Sequence, residues 1–481
     1  MIEGLRPYPE VQDSGVPWLR EVPAHWDVRR LKQTFSRIVG GSTPSSTEPA
    51  FWDGELVWIT PADISRNARV KDSQRRITHD GLRSCSSELV PQGSLIVTSR
   101  APVGNVAIAE TDLCTNQGCK ALVVNPTVVD SAFGLHVLTT LKEVFQSLAV
   151  GTTFAEISTS RIGTVSFPLP PLSEQAAIVR FLNHVDRRIQ RYIRAKQKLI
   201  KLLEEQKQAI IHQAVTRGLD PNVRLKPSGV DWLGDVPEHW STLRLKTLLR
   251  DRITDGPHVT PQFVDAGVPF LSVDGIQNGD LTFDGCRYVS ESDHREFRKK
   301  ALPKRGDILL GKAASTGKIA QVKVDFEFSI WSPLALIRLD AAKCIPTFVE
   351  LYLKSPTAQT QIEVLCTMNT QRNISMQDIP EIVVPVPPLA EQRLIVAAIA
   401  SDTEGLIGAA ERAEREIHLL CEFRTRLVAD VVTGKLDVRE AAANLPDAVD
   451  EHELLDDADT EQDVEEVIDD DIDVAAEEVE A

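Results

Sequence analysis

The chain has 481 residues, 42% of them hydrophobic, and a formal net charge of −17 at neutral pH. That length accommodates several domains, each with a core of its own, and no apolar run reaches the roughly 18 residues of a transmembrane helix. The seven cysteines form no C-x-x-C pair, which argues against a zinc site or disulfide framework and for free thiols in a reducing cytoplasm. The opening MIEGLRPYPEVQDSG lacks the apolar stretch of a signal peptide. The negative charge is local. Residues 441–481 hold 18 of the 70 Asp and Glu and no Lys or Arg, leaving 53 basic against 52 acidic residues, a net of +1, in the preceding 440. This tail, self-repelling and poor in aromatics, is expected to be disordered, either as a solubilising extension or as a competitor for the basic surfaces of the same chain.

In chain order, a leader SGVPWLREVPAHWDVRRLK (14–32) is followed by a segment of short apolar runs such as LVWIT and SLIVTS, punctuated by Gly, Pro and Asn. That pattern predicts a compact α+β domain. PLPPLSEQAAIV (168–179) then holds the chain extended, because proline fixes φ and disfavours helix in the residue before it. Glu174 follows, in the first turn of a predicted helix, where a carboxylate suits the positive end of the macrodipole. Ile178, Leu182, Val185, Ile189, Tyr192, Leu199, Leu203 and Ile210 give that helix an apolar seam of coiled-coil type.

The whole plan then repeats. SGVDWLGDVPEHWSTLRLK (228–246) answers the leader, GDILLGKAASTGKIA (306–320) answers GSLIVTSRAPVGNVA (93–107), and PVPPLAEQRLIV (385–396) answers the proline motif. A second helix follows, with a more alanine-rich seam at Ile395, Ile399, Leu406, Ala413, Ile417, Leu420 and Leu427, and TGKLD (433–437) echoes TRGLD (216–220). This is a tandem duplication in two copies rather than a solenoid. Connectivity requires the helices to pair antiparallel, each about 60 Å long at 1.5 Å per residue. The expected fold is therefore α+β: two similar globular domains separated by two long antiparallel coiled-coil helices, an internal pseudo-two-fold repeat, and a disordered acidic C-terminal tail. The expected bounds are 1–170 and 221–387 for the globular domains, 171–220 and 388–440 for the helices, and 441–481 for the tail.

Two heads at a fixed separation suit double-stranded DNA, whose dimeric readers sit about one turn, roughly 34 Å, apart. Between framework strands both halves concentrate cations that could meet phosphates: Arg66, Arg69, Lys71, Arg75 and Arg76 in the first, and Arg298, Lys299 and Lys300 in the second. Loop residues able to reach base edges are Ser42, Thr43, Arg100, Asn105, Asn116, Gln117, Lys120, Thr152 and Thr153 in the first half. In the second half they are His258, Thr260, Lys312, Lys318, Gln371, Arg372 and Asn373. Each basic cluster also fits a solvated helix face.

The paired P-x-P-P-L-x-E-Q motifs, the W-L-x-x-V-P-x-H-W leaders and the strand-plus-glycine elements ending in V-G-N and T-G-K resemble the specificity subunits of type I restriction-modification systems, from about Ser14 to Asp437. The resemblance implies a non-catalytic subunit with two target-recognition domains that read a bipartite, asymmetric DNA site. It implies docking of two modification (methyltransferase) subunits on the helices and the proline elbows: Pro170, Pro171, Leu172, Glu174 and Gln175, with Pro387, Pro388, Leu389, Glu391 and Gln392. Restriction subunits would join that core. No cofactor is expected on this chain; S-adenosylmethionine, ATP and magnesium belong on the partners.

Catalytic motifs are wanting. GKAASTGKI (311–319) has five residues between its glycines where a P-loop has four, and Ile319 stands where Ser or Thr would hold magnesium. His25 and His239 recur beside Trp26 and Trp240, a placement that suits packing. The competing reading is a coiled-coil scaffold whose heads bind proteins rather than DNA.

Overall fold

The computed structural model describes residues 5–64, 68–151, 155–313, 315–368 and 372–446. They divide into two compact units, the first taking residues 1–193 and 418 onward, the second Arg194–Ile417.

In the first unit the leader makes a hairpin of Val11–Asp13 with Glu21–Pro23. Strand Asp27–Arg30 then pairs antiparallel with Ser166–Leu169. The head between these strands carries a five-stranded sheet in the order Arg37–Gly40, Cys119–Val123, Leu95–Thr98, Val106–Ala109, Arg69–Val70. All four residues of Leu95–Thr98 are buried, the pattern of a central strand covered on both faces. A three-stranded sheet sets Trp52–Ile59 between Leu113–Thr115, which runs parallel to it, and Arg76–Ile77, which runs antiparallel.

The second unit repeats this plan. A leader hairpin joins Leu225–Pro227 to Asp235–Pro237, and Ser241–Arg244 pairs with Val383–Val386. One sheet runs Thr254–Asp255, Leu334–Ile337, Ile308–Gly311, Ile319–Gln321; the other runs Phe263–Val264, Arg287–Val289, Val268–Leu271, Ser329–Ile330. The segment GKAASTGKI lies at the hairpin between Ile308–Gly311 and Ile319–Gln321, where Gly317 N donates to Gly311 O at 2.9 Å. No helix follows this turn, so the strand-to-helix geometry of a phosphate loop is absent here.

The long helices span Leu172–Arg217 and Leu389–Val432, each starting directly after the proline pair. Each is ended by a glycine in the left-handed region, Gly218 at φ +78 and Gly434 at φ +77, which closes the last turn without the steric cost a Cβ brings. The antiparallel course is visible within each unit. In the first, Asp186 meets Arg424 while Glu174 lies 3.8 Å from Arg439. In the second, Lys196 meets Glu416 at 2.6 Å, and Gly218 lies against Glu391.

The buried stripe of the first helix differs in detail from the expected seam. Ile178, Leu182, Val185, Ile189, Ile193, Ile211 and Val215 are buried, whereas Tyr192 is 55% and Leu199 40% exposed. Ile178 to Ala214 takes 36 residues, the advance of ten steps at the straight-helix period of 3.6. A 3.5-residue repeat drifts off that face by about 20° per heptad, which carries Tyr192 and Leu199 into solvent. In the second helix every expected seam residue is buried or half-buried, and Thr403 fills the gap with its hydroxyl on Ile399 O at 2.7 Å.

A short helix, Arg439–Ala443, follows the second long helix, and the Arg180 guanidinium donates to Leu445 O at 2.7 Å and Pro446 O at 3.3 Å. Residues 441–446, expected in the disordered tail, are therefore packed on the first unit, since these carbonyls satisfy a helix cation. The remainder of that tail, 447–481, lies outside the described residues.

Candidate nucleic-acid interface

The Glu-Gln of each proline motif proves to be an internal clamp. Glu174 takes the Tyr8 hydroxyl at 2.5 Å and His25 Nε2 at 2.8 Å. Glu391 takes Trp240 Nε1 at 3.0 Å and His239 Nε2 at 2.8 Å. The next residue points into the head. Gln175 accepts from Asp130 N at 2.8 Å and donates to Val128 O and Pro170 O; Gln392 accepts from Ile345 N at 2.7 Å and donates to Pro387 O. Both glutamines are fully buried and Glu174 is 5% exposed. These three side chains, expected on a docking surface, are thus consumed in fixing head and leader to the helix start, as unpaired polar groups at such depth would cost about 1–3 kcal/mol each. Leu172, at 40% exposure, remains outward. Burial and the Glu174 bond also push the Tyr8 hydroxyl well above the ordinary phenol range. The recurring His-Trp pairs do pack, and both histidines and Trp240 also carry these hydrogen bonds, whereas Trp26 Nε1 is buried without a partner among the described residues. Tyr8 stands outside the sequence candidates; its only signal is an aromatic preceding a duplicated leader.

In the first head the scattered loop candidates converge. Gly41 lies so close to the carbonyls of Thr115 and Asn116 that a Cβ would overlap them. This approach seats Ser42, whose N–H donates to Thr115 O at 3.0 Å, and brings Thr43 onto the Gln117 side chain. Trp58 Nε1 donates to Ser42 O and Trp52 Nε1 to Ser45 O, both at 3.0 Å, so two indoles tie down the serine-rich loop. Asn116 accepts from Gly118 N at 2.8 Å, which shapes the adjoining turn. Arg100 pairs with Glu156 at 3.0 Å, and Lys120, 7% exposed, reaches Gln117 O at 3.0 Å and Glu156 at 3.6 Å. Asn105 accepts from Lys142 at 2.9 Å. Arg69 pairs with Glu110 and Arg76 with Asp72, whereas Lys71 is exposed and has no ionic partner among the described residues. Arg66, Thr152 and Thr153 lie outside the described residues.

The second head builds the corresponding corner with different chemistry. Gly256 lies against Ile330 O as Gly41 does against Thr115 O. Beside it, buried Asp255 gathers three candidates: Lys300, Lys312 at 2.7 Å and His258 at 3.2 Å. Burial alone would raise the Asp255 carboxyl, but the hydrogen bonds from Lys300 and Lys312 outweigh it and hold it below the usual carboxylate range. Arg298 pairs with Glu327 at 3.0 Å and Lys299 with Glu296 at 2.6 Å. Arg372 pairs with Glu363 at 3.4 Å and its carbonyl accepts from Thr316. Asn373 stands in strand Arg372–Asn373. Thr260 and Lys318 are exposed. Gln371 lies outside the described residues. The two corners are polar, with side chains of the types suited to phosphate and base-edge hydrogen bonds.

Known proteins agree with this arrangement. The family described as Type I restriction modification DNA specificity domain matches residues 23–202 and 255–406, one stretch in each half. The type I restriction enzyme MjaIX specificity subunit of Methanocaldococcus jannaschii is 27% identical over 427 residues, covering 87% of this chain and 95% of that protein. The EcoKI specificity subunit of Escherichia coli (strain K12) is 23% identical, covering 89% of this chain and 93% of that protein. A solved chain from work on complex assembly and conformational transition of the type I R-M system shares the fold, with a TM-score of 0.60 at 18% identity, covering 85% of this chain and 98% of that one. The chain belongs to the type I restriction-modification DNA specificity family: it is a specificity subunit with two target-recognition domains, a recognition rather than a catalytic component.

Proposed function

We propose that each head reads one half of a bipartite, asymmetric duplex site, and that the two long helices set the spacing between the halves. The carrying observation is that one framework, with the same glycine pressed on the same carbonyl position, is built twice while the side chains around it differ. A shared frame with unlike loops is what reading two unlike half-sites requires. The helices also serve as the seat of two modification subunits. Supporting this, Tyr192, Leu199 and Leu202 on the first helix, and Leu394, Leu419 and Phe423 on the second, are between 40% and 64% exposed. Apolar side chains in such numbers on paired helices suit a protein partner. Methyl transfer, with S-adenosylmethionine, and DNA translocation and cleavage, with ATP and magnesium, belong to the partner subunits in this reading.

Exchange of residues 33–160 for the same segment of a relative, in cells carrying the modification partner, tests it. Sequencing of methylated adenines should show one half of the recognised site replaced and the other retained. Change in both halves, or in neither, would refute modular heads.

A further inference from the structure

Most candidate cations are already engaged by a carboxylate of their own head, which leaves open what grips the duplex. One arginine in each head is held differently. The Arg75 guanidinium lies over the Trp52 ring, 3.7 Å from its centroid. The Arg287 guanidinium lies over the Phe263 ring at 4.9 Å. Both arginines are exposed, and neither has a carboxylate partner among the described residues.

Their positions are equivalent by strand register. Ile77 stands opposite both Trp52 and Leu56 across an irregularity in the strand. Val289 likewise stands opposite both Phe263 and Val268, there on two separate strands that flank its own. Arg75 and Arg287 each lie two residues before that doubly paired position. Each aromatic, moreover, ends the loop that begins at the glycine pressed on a carbonyl: Gly41 to Trp52 in one head, Gly256 to Phe263 in the other. A second ring backs each platform, Trp58 edge-on to Trp52 at 5.3 Å and Phe270 edge-on to Phe263 at 5.9 Å.

We propose that Arg75 and Arg287 are a matched pair of DNA-backbone contacts, one per head, each guanidinium held over an aromatic ring so that its hydrogen-bonding donors meet a phosphate. This rests on the reading that both heads bind duplex DNA. The heads differ in the side chains around the glycine corner, Lys120 and Glu156 in one against Lys312 and Asp255 in the other. A device they keep in common therefore goes with what two unlike half-sites have in common, the phosphate backbone. A contact with a ring engages no N–H of the guanidinium in a conventional hydrogen bond and leaves its fork of donors available, which suits bidentate phosphate binding. An ordered side chain also loses less freedom on binding.

The experiment uses the full chain assembled with its modification subunits, and compares Arg75→Gln and Arg287→Gln with the parent on a cognate duplex and a random duplex over a salt series. Each substitution should weaken both duplexes to a similar extent, about tenfold, and lower the slope of log affinity on log salt by about one. The methylated sequence should not change. Arg75→Lys should keep the slope, since the charge remains, while losing part of the affinity with the fork. Unaltered affinity, or a loss confined to duplexes carrying one particular base pair, would overturn the assignment. Thermal unfolding equal to the parent's keeps a folding defect from imitating the effect. If the unsubstituted assembly showed no salt-dependent binding, the parent reading would fall with it, and that is read without any variant.

Discussion

The two heads share their backbone and disagree about their charges. At the strand end that precedes each glycine corner, the first head has Gly40, paired in register with Lys120, and the second has Asp255, paired with Ala335. In the first, the cation stands inside the sheet and is answered from a distant segment by Glu156; in the second, the carboxylate stands inside and calls in Lys300, Lys312 and His258 from elsewhere. Duplicated scaffolds are thus free to move a buried charge to the facing strand and change its sign as long as its partner moves with it. What they do not exchange is the close backbone approach beside it, or the glutamine that joins head to helix.

The strongest strain on that comparison is the glycine corner. Gly41→Ala and Gly256→Ala each put a Cβ onto a backbone carbonyl that has no flexible end to yield, so each should cost about 3 kcal/mol and misplace its loop. Thermal unfolding of both variants measures it, and a neutral result in one head would show that the corners are not equivalent. Next come Gln175→Leu and Gln392→Leu, which take the buried glutamine carbonyl from the N–H of Asp130 or Ile345; a loss of about 1–3 kcal/mol is expected in either unit, read from denaturant titration. The smallest effect sharpens the difference. Because Asp255 is held below the usual range, its contribution to stability is present above its unfolded pKa of about 3.9 and is lost as pH falls through the lower folded value. Asp255→Asn should therefore remove that acid-limb dependence, whereas Gly40, with no carboxylate, gives the first head none to lose; a pH series of melting temperatures compares them.

Much of this plan was legible because its signals are local. Proline pairs followed by Glu placed the helix starts at 171 and 388, one residue before the observed Leu172 and Leu389, and the echo of TRGLD in TGKLD aligned the segments in which the glycines end both helices. The duplication revealed the framework strands. Pairing between distant residues was not legible. Nothing in the chain near Glu174 announces Tyr8, 166 positions away, and a carboxylate in a first helical turn is fully explained by the macrodipole until its partners are seen. Arg287 stands outside the sequence candidates because it is a lone cation in GCRYV, whereas RKK nearby draws attention and is largely committed to Glu327, Glu296 and Asp255. The doubly paired strand position that matches Arg287 to Arg75 exists only in three dimensions. The shift from Tyr192 to Ile193 in the first helix shows a finer failing: heptad and straight-helix periods differ too little to be separated over a few turns.

In the first unit the leader is stitched to the segment that ends the second long helix. Asp437 N donates to Arg6 O at 2.8 Å, and Gly434 packs against Pro23 and Trp26. Gly218 occupies the same place against Trp240 in the second unit. Each leader is therefore seated on the end of the helix made by the opposite copy. Neither junction depends on the order in which the two copies are read: a circularly permuted version, with residues 5 and 446 bridged and new termini between 218 and 224, would contain both.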